Sequence, residues 1–373
     1  MTAPVRLSER NGVVTMRQIA AHCRVATSTV QRALAGKTDE VSERTLRRVL
    51  AAAEELGYNP NHHFAARRLF ANRTTTPILS QTLSLVFPDV FFTMNFFLAM
   101  FRGVLEELNR VGYSLVTSTY CSYTQEQFPV PNVIQRGDVD GVIFYGHPHT
   151  ANTLAAHLRA EVNFADRPLV SLLFPALPNM SAVMVDDWGG AYAVMSHLLE
   201  LGHRAVAHCL TGNLSYQEQQ RLGAYRQACT DHGLDGARVL RPVEFTRQSP
   251  MLDVHYVPPL LATLHAHPEI TAVMMPNDPS AVAVWEGLEA AGYRIPQDIS
   301  LVGYDDTDPL VGGQQRNNLL TTLRLPLDEV GREAARLTIG RSTGAITSDR
   351  TSLLPTELVV RQSTAPPRTP ERT

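Results

Sequence analysis

The chain has 373 residues, 44% of them hydrophobic and 18% charged, with a formal net charge of −3. That length exceeds one compact core and predicts two or three folding units of globular character. The charge is uneven: residues 1–73 hold 12 Arg and Lys against 6 Asp and Glu, and the remainder holds 21 against 30. A basic N-terminal unit on an acidic body fits a local phosphate-contacting surface rather than general polyanion binding. Met1 to Asn11 lack an apolar core and no apolar run approaches the length of a membrane span, so no export signal, no membrane partner and a cytoplasmic location are expected. The four cysteines, Cys23, Cys121, Cys209 and Cys229, form no CxxC pair and read as reduced thiols.

The first elements lie in Val14 to Tyr58, which reads as three short helices. Thr15 can cap the first, with Gln18 three residues on in capping-box spacing. Ile19, Ala20 and Cys23 then share a face. After a break at Arg24-Val25, the second helix turns Val30, Ala33 and Leu34 inward and Thr27, Ser28, Gln31 and Arg32 outward. Ser42 caps a third helix on which Val49, Ala52, Ala53 and Leu56 recur at helical spacing, and Gly57 ends it. Short polar side chains plus one arginine on the outer face of a second helix suit a helix laid in the DNA major groove. The run resembles the headpiece of the lactose-repressor (LacI/GalR) family of bacterial transcription regulators. The likeness is carried by Val14-Thr15, Ile19-Ala20, Val25, Thr29-Val30, Arg32, Leu34, Val41-Ser42 and Ala52 to Tyr58. It implies DNA contacts from Thr15, Thr27, Ser28, Thr29, Gln31 and Arg32. Two positions depart from the family: Arg24 replaces a turn glycine, and Ala26 replaces the usual serine N-cap of the recognition helix. A left-handed backbone at Arg24 would cost about 1 kcal/mol.

Asn59-Pro60-Asn61 breaks the third helix, and His62 to Phe70 is short, basic and helix-permissive before the linker Thr74-Thr75-Thr76-Pro77. In the family, this position holds a hinge helix that folds on operator DNA beside its dimer mate. The resemblance places Asn61, Ala66, Arg67 and Leu69 there, with Leu69 as the apolar wedge that unstacks a base step in the minor groove. Two extra residues, most simply His62-His63, separate the two parts of the pattern; a shifted register leaves Phe64 or no residue as the wedge.

From residue 83 the chain alternates apolar runs with helical patterns. Strands are expected at Leu83–Phe87, Tyr113–Thr117, Val142–Tyr145, Leu169–Leu173, Ala182–Val185, Ala205–Leu210, Ala272–Met275 and Ile299–Tyr304. Helices are expected near 96–111, 151–160, 188–202, 217–233, 257–267, 279–292 and 326–340. Continuous apolar strands between helices argue parallel sheets covered on both faces, here two sheets with a cleft between them. The resemblance extends through Phe87-Pro88-Asp89, Arg102-Gly103, Val139 to Ile143, His197 to Arg204, Asn277-Asp278, Val302 to Asp306 and Leu320 to Thr322. It implies an α/β core of two doubly wound parallel-sheet subdomains, periplasmic-binding-protein-like, joined by three crossovers and supplying a homodimer interface. The expected divisions are 13–59 for the all-α helix-turn-helix headpiece, 60–77 for hinge and linker, 78–362 for the core and 363–373 for a disordered tail.

Ligands of doubly wound sheets sit beyond the carboxyl ends of strands. Asn277 and Asp305 stand at such ends, and Arg221 is expected to open the helix after the Leu214–Gln220 loop. An amide, a carboxylate and a guanidinium offer the paired donors and acceptors that hydroxyl-rich ligands need. The resemblance assigns effector contact to Arg221, Asn277 and Asp305 and adds aromatic contacts at Phe96, Phe97 and Phe245. Leu173-Phe174-Pro175 replaces the Asp-Arg pair of many sugar-binding relatives, and the first cleft loop, Val90 to Asn95, is longer and more apolar than usual.

His62-His63, His147-Pro148-His149, His265 and His267 show no familiar zinc spacing, and no P-loop, nucleophile elbow or dinucleotide fingerprint appears. No cofactor, metal or catalytic residue is expected. The reading is a DNA-binding transcription regulator, a repressor of double-stranded operator DNA controlled by a small sugar-like effector. The alternative is a solute-binding protein or sugar-acting enzyme on the same core.

Overall fold

The capping signals of the N-terminal helices are satisfied in the computed structural model of the protein. It describes residues 14–34, 40–56, 58, 79–88, 95–120, 130–135, 137–146, 155–156, 167–209, 215–243, 256–307 and 318–368. The hinge segment and Phe245 lie outside these residues, as do most of the helix expected at 151–160 and the Val90–Met94 part of the first cleft loop. Two compact units emerge: residues 1–82 with 138–140, and the rest of the chain.

In the first unit, α1 (Met16–Cys23) begins in a full capping box: Gln18 N donates to Thr15 Oγ1 at 3.4 Å, and Thr15 N donates to Gln18 Oε1 at 2.7 Å. Arg24 closes α1 in the left-handed conformation (φ 50°, ψ 48°), its N–H donating to the Ala20 and Ala21 carbonyls. Its turn delivers α2 (Thr27–Leu34) against α1. Ala26 occupies the N-cap position, its carbonyl accepting from Thr29 N and Val30 N, and its methyl offers no oxygen to the free N–H groups of the first turn. Ser42 caps α3 (Glu43–Glu55) through Thr45 N. Ile19, Val30 and Val49, one from each helix, are fully buried and centre the small core.

The second unit holds two six-stranded sheets. The first contains β1 (Thr82–Pro88), β2 (Ser114–Tyr120), β3 (Gly141–Tyr145), β4 (Leu169–Leu172), β5 (Ser181–Val185) and β11 (Thr351–Leu354), ordered β11-β5-β4-β3-β1-β2. The second contains β6 (Val206–His208), β7 (Leu240–Pro242), β8 (Ala272–Met274), β9 (Ser300–Asp305), β10 (Thr321–Arg324) and β12 (Glu357–Val359), ordered β12-β10-β9-β8-β6-β7. Its described pairings are parallel except β10 with β12. Helices α4 (Asn95–Val111), α5 (Asn132–Gln135), α6 (Asp187–Glu200), α7 (Tyr216–Asp231), α8 (Gly236–Val239), α9 (Val257–Ala266), α10 (Asp278–Ala290) and α11 (Leu327–Ser342) connect or cover them. The second sheet is buried on both faces: Val206, Ala272, Met274, Val302 and Tyr304 join one core, and Ala207, Val273, Met275 and Leu301 the other. That explains strands written as unbroken apolar runs.

The chain passes between sheets at β5–α6, β10–α11 and β11–β12. Asp186 N donates to Leu354 O at 2.8 Å, and Thr356 Oγ1 donates to Asp186 O at 3.1 Å, which ties two crossings together. A Cβ at Gly190 would overlap Leu323 and Thr356, so the third crossing also packs there.

Two expectations are corrected. Strands β7, β10, β11 and β12 were not foreseen: they are three or four residues long, and Thr321-Thr322 and the half-exposed Thr351–Leu354 lack an apolar run. Nor does a disordered tail begin at 363. Ser363 is fully buried, its hydroxyl donating to Leu301 O at 2.6 Å and accepting from Thr321 N at 2.7 Å, and Ala365 N donates to Ser300 Oγ at 3.0 Å.

Helices α4 and α11 cross at two glycines: a Cβ on Gly331 would overlap the Met100 carbonyl, and one on Gly103 the Asp328 carbonyl. Gly331→Ala is expected to destabilise the core by about 1–3 kcal/mol through overpacking. Chemical denaturation checks this, with Gly223→Ala on the exposed face of α7, where a Cβ would meet only Trp188 Nε1 at 3.9 Å, as a control.

Candidate functional site

The outer face of α2 presents Thr27, Ser28, Gln31 and Arg32 to solvent, while Thr29 is half-buried. Thr15 stands at the start of α1 with its hydroxyl engaged by Gln18 Oε1 at 3.0 Å. Arg32 is the single cation of α2 and extends from its last turn. These side chains are short apart from Gln31 and Arg32, so the α2 backbone can approach a groove floor closely.

In the second unit, polar groups gather at the carboxyl ends of β8 and β9. The sequence Asn277-Asp278-Pro279 turns the chain from β8 into α10: Asn277 Oδ1 accepts from Ser280 N at 2.9 Å, leaving the side-chain NH₂ as its remaining donor. Asp278 is buried, with Oδ1 accepting from Thr322 Oγ1 at 2.6 Å and Oδ2 from Thr307 N at 3.2 Å. Gly303 makes room for that carboxyl, since a Cβ there would overlap it. Burial first, then the neighbouring Asp306 charge, pushes Asp278 up to about 7.

Asp305 ends β9 at φ 103°, a conformation that L side chains rarely adopt, and Asp306 follows at φ 52°. Asp306 is anchored by Arg324 Nε and Arg361 Nη2, each at 2.7 Å. Burial, then the charge of Asp278, raises Asp305 well above the ordinary carboxylate range.

Arg221 lies in the second turn of α7, not at its opening, because Ser215 and Glu218 form a capping box that starts the helix at Tyr216. Its side chain is only 12% exposed. Nε donates to Asp187 Oδ1 at 3.1 Å, Nη1 donates to Pro276 O at 3.0 Å, and Cζ sits 3.3 Å from the centroid of the Tyr304 ring. The Tyr304 hydroxyl donates to the same Asp187 oxygen at 2.7 Å. Burial opposes the guanidinium charge, but Tyr304 and Asp187 outweigh it and hold the pKa above its ordinary value. Burial also pushes Tyr225, one helical turn on, up to about 12. Among the described residues, two of the five guanidinium N–H donors are thus committed and three remain for another acceptor.

The structure therefore brings Arg221, Asn277 and Asp305 to one end of the second sheet. Phe97 is a correction: it is fully buried between Phe87 (ring centroids 4.4 Å apart) and Phe101 (6.1 Å), so it fills the core of the first sheet. Phe96 is half-buried, 6.1 Å from the Tyr145 ring. Leu173 and Phe174 are buried, and Gln217 of α7 donates its side-chain N–H to the Leu173 carbonyl. Sequence reasoning passed over Asp187 and Tyr304, and it placed Asp278 at a strand end without giving it a role in the site. Asp187 follows β5 as Asp305 ends β9, so the strand-end rule itself could have flagged it. Among the described residues, no group of three or more His, Cys, Asp or Glu is arranged to hold a metal ion. No helix among them is long and apolar enough to cross a membrane.

Comparison with known proteins fits this geometry. Residues 15–61 match the model of bacterial regulatory proteins of the lacI family, and 195–364 match a periplasmic binding protein-like domain. Across nearly the full length, the chain is 30% identical over 363 residues to the HTH-type transcriptional regulator CelR of Thermobifida fusca, covering 95% of this chain and 99% of that protein. The chain belongs to the lacI family of bacterial regulatory proteins. It is a DNA-binding regulator of transcription and not an enzyme, which sets aside the solute-binding and sugar-acting alternatives. Among solved structures, a transcriptional regulator CelR–cellobiose complex matches with TM-score 0.62 at 28% identity, covering 94% of this chain and 99% of that one. A LacI family regulator from Enterococcus faecium with bound ribose matches with TM-score 0.62 at 26% identity, over 77% of this chain and all of that one.

Because burial lifts Asp278, folding takes up a proton between its ordinary 3.8 and about 7. The stability it contributes is complete below the ordinary value and is lost as pH rises through the folded value. Asp278→Asn should therefore gain stability relative to the parent between about pH 4 and 7, by up to about 1.4 kcal/mol per pH unit, and level off above. Urea denaturation across that range checks the slope; parallel curves would contradict it.

Proposed function

We propose that the protein is a cytoplasmic homodimeric repressor whose two headpieces read a palindromic operator and whose core binds a sugar or sugar derivative that alters operator affinity. One headpiece reads only a few base pairs, so recognition at repressor-like specificity needs two. Thr27, Ser28, Thr29, Gln31 and Arg32 are assigned to the major groove and Thr15 to the backbone. Asn61, Ala66, Arg67 and Leu69, outside the described residues, are assigned to the hinge and minor groove. The proposed divisions are headpiece to 59, hinge to 77, and a core that runs on through 368.

The observation that carries the effector reading is the buried Arg221 guanidinium, with three donors uncommitted, beside Asp305 and Asn277. Vicinal hydroxyls satisfy a guanidinium and a carboxyl together, as neutral sugars require. The cellobiose and ribose bound by two structural relatives favour the same ligand class. Phe96 is assigned to an apolar wall of that site, and Phe245, outside the described residues, to another.

Two variants test the two halves. Against a duplex selected by the full chain from a random pool, Arg32→Ala is expected to lose about 1–3 kcal/mol of affinity at fixed salt with its core stability unchanged. Arg221→Ala is expected to keep ligand-free DNA binding yet lose the response to whichever ligand raises the melting temperature in a screen of cellobiose, ribose, other sugars and nucleosides. A variant at 221 that still responds in the same gel shift would remove the effector assignment.

A further inference from the structure

Arg32 does not stand alone on the outer face of the headpiece. Its Nε lies 3.2 Å from Glu40 Oε2, and both side chains are about half exposed, at 50% and 45%. Glu40 comes from the segment entering α3, two residues before the Ser42 cap, so a separate stretch of chain returns a carboxylate to the last turn of α2. An exposed pair of this kind contributes little to folding stability, because solvent screens it and two long side chains lose rotamer freedom. Its consequence lies in what it does to the arginine.

A carboxylate at Nε has two effects on a guanidinium. It draws the Nε edge toward itself, with the Nη1 and Nη2 end left to meet an acceptor pair such as guanine O6 and N7. It also cancels much of the arginine's charge and repels phosphate, which lowers the sequence-independent attraction that any exposed arginine has for DNA. Both effects favour the base edge over the backbone. We infer that Glu40 is a specificity-determining residue that acts through Arg32: it positions the fork for base readout and suppresses phosphate binding on sequences that lack the matching base. This rests on the reading of α2 as the helix that meets DNA.

The test uses the full chain, fluorescence anisotropy and two duplexes: one selected from a random pool and one of the same composition with scrambled sequence. Glu40→Gln should tighten binding to the scrambled duplex roughly threefold to tenfold and steepen its log–log salt slope by about one. The selected duplex should gain less or lose, so the ratio of the two affinities falls about tenfold. Glu40→Asp, which keeps the charge, should retain most of the parent ratio. In an Arg32→Ala background, Glu40→Gln should no longer change the ratio, which separates action through Arg32 from a general change in charge. An unchanged ratio in Glu40→Gln, or the same fall in the Arg32→Ala background, overturns the assignment. If Arg32→Ala alone leaves the selected duplex bound as tightly as before, the reading of α2 fails and takes the role of Glu40 with it.

Discussion

A guanidinium taken out of water must be neutralised and hydrogen-bonded, or its desolvation cost expels it from the interior. Arg221 meets that requirement with residues from three elements: Asp187 opening α6, the Pro276 carbonyl after β8, and the ring of Tyr304 on β9. Each is sequence-distant from the others, so the second sheet must be assembled and helices α6 and α7 seated before the arginine has partners. Removing Asp187 would leave a buried cation short of an acceptor, a more severe change than losing an exposed ion pair. Among the described residues, that constraint is met with two of the five N–H donors.

The position of Asp187 gives this cluster reach. It is the residue after Asp186, whose backbone joins the β5–α6 crossing to the β11–β12 crossing through Leu354 and Thr356. On the other side, Asp306 is held by Arg324 at the end of β10 and by Arg361 just beyond β12. The strained turn at Asp305-Asp306 is thereby over-determined by residues that flank the β10–α11 and β11–β12 crossings, as such backbone conformations require. In the proposed function, a ligand that shares Arg221 and Asp305 bears directly on the segments through which the two sheets are connected. Differential contact in two arrangements of those segments is what a change in DNA affinity needs.

Local signals were legible in the sequence where a single interaction dictates the outcome. Thr15 and Gln18 announce a capping box because both partners lie within one helical turn, and the backbone shows it. Asn277 and Asp305 announce strand ends because an apolar run stops at a polar residue. Most of what escaped depends on distant partners. Phe97 does not: it is a ligand contact by resemblance alone, yet it shares one face of α4 with the buried Met100, Val104 and Leu108, a helical spacing that places it in the core. The short linking strands lack any apolar run, and Ser363 to Arg368 look polar because their order comes from hydrogen bonds to Leu301 and Thr321. Asp187 is different: its place after β5 was legible by the strand-end rule, and only its pairing with Arg221, 34 residues on, was not.

Coupling between core and DNA is the central claim, and thermodynamic reciprocity tests it most directly. A ligand that changes operator affinity by some factor must have its own affinity changed by the same factor when operator is bound. Calorimetric titration of the ligand into the free dimer and into the dimer saturated with the selected duplex measures this. The account predicts two dissociation constants that differ by roughly 5- to 150-fold, matching the shift in DNA affinity. Equal ligand affinities with and without the duplex would contradict it.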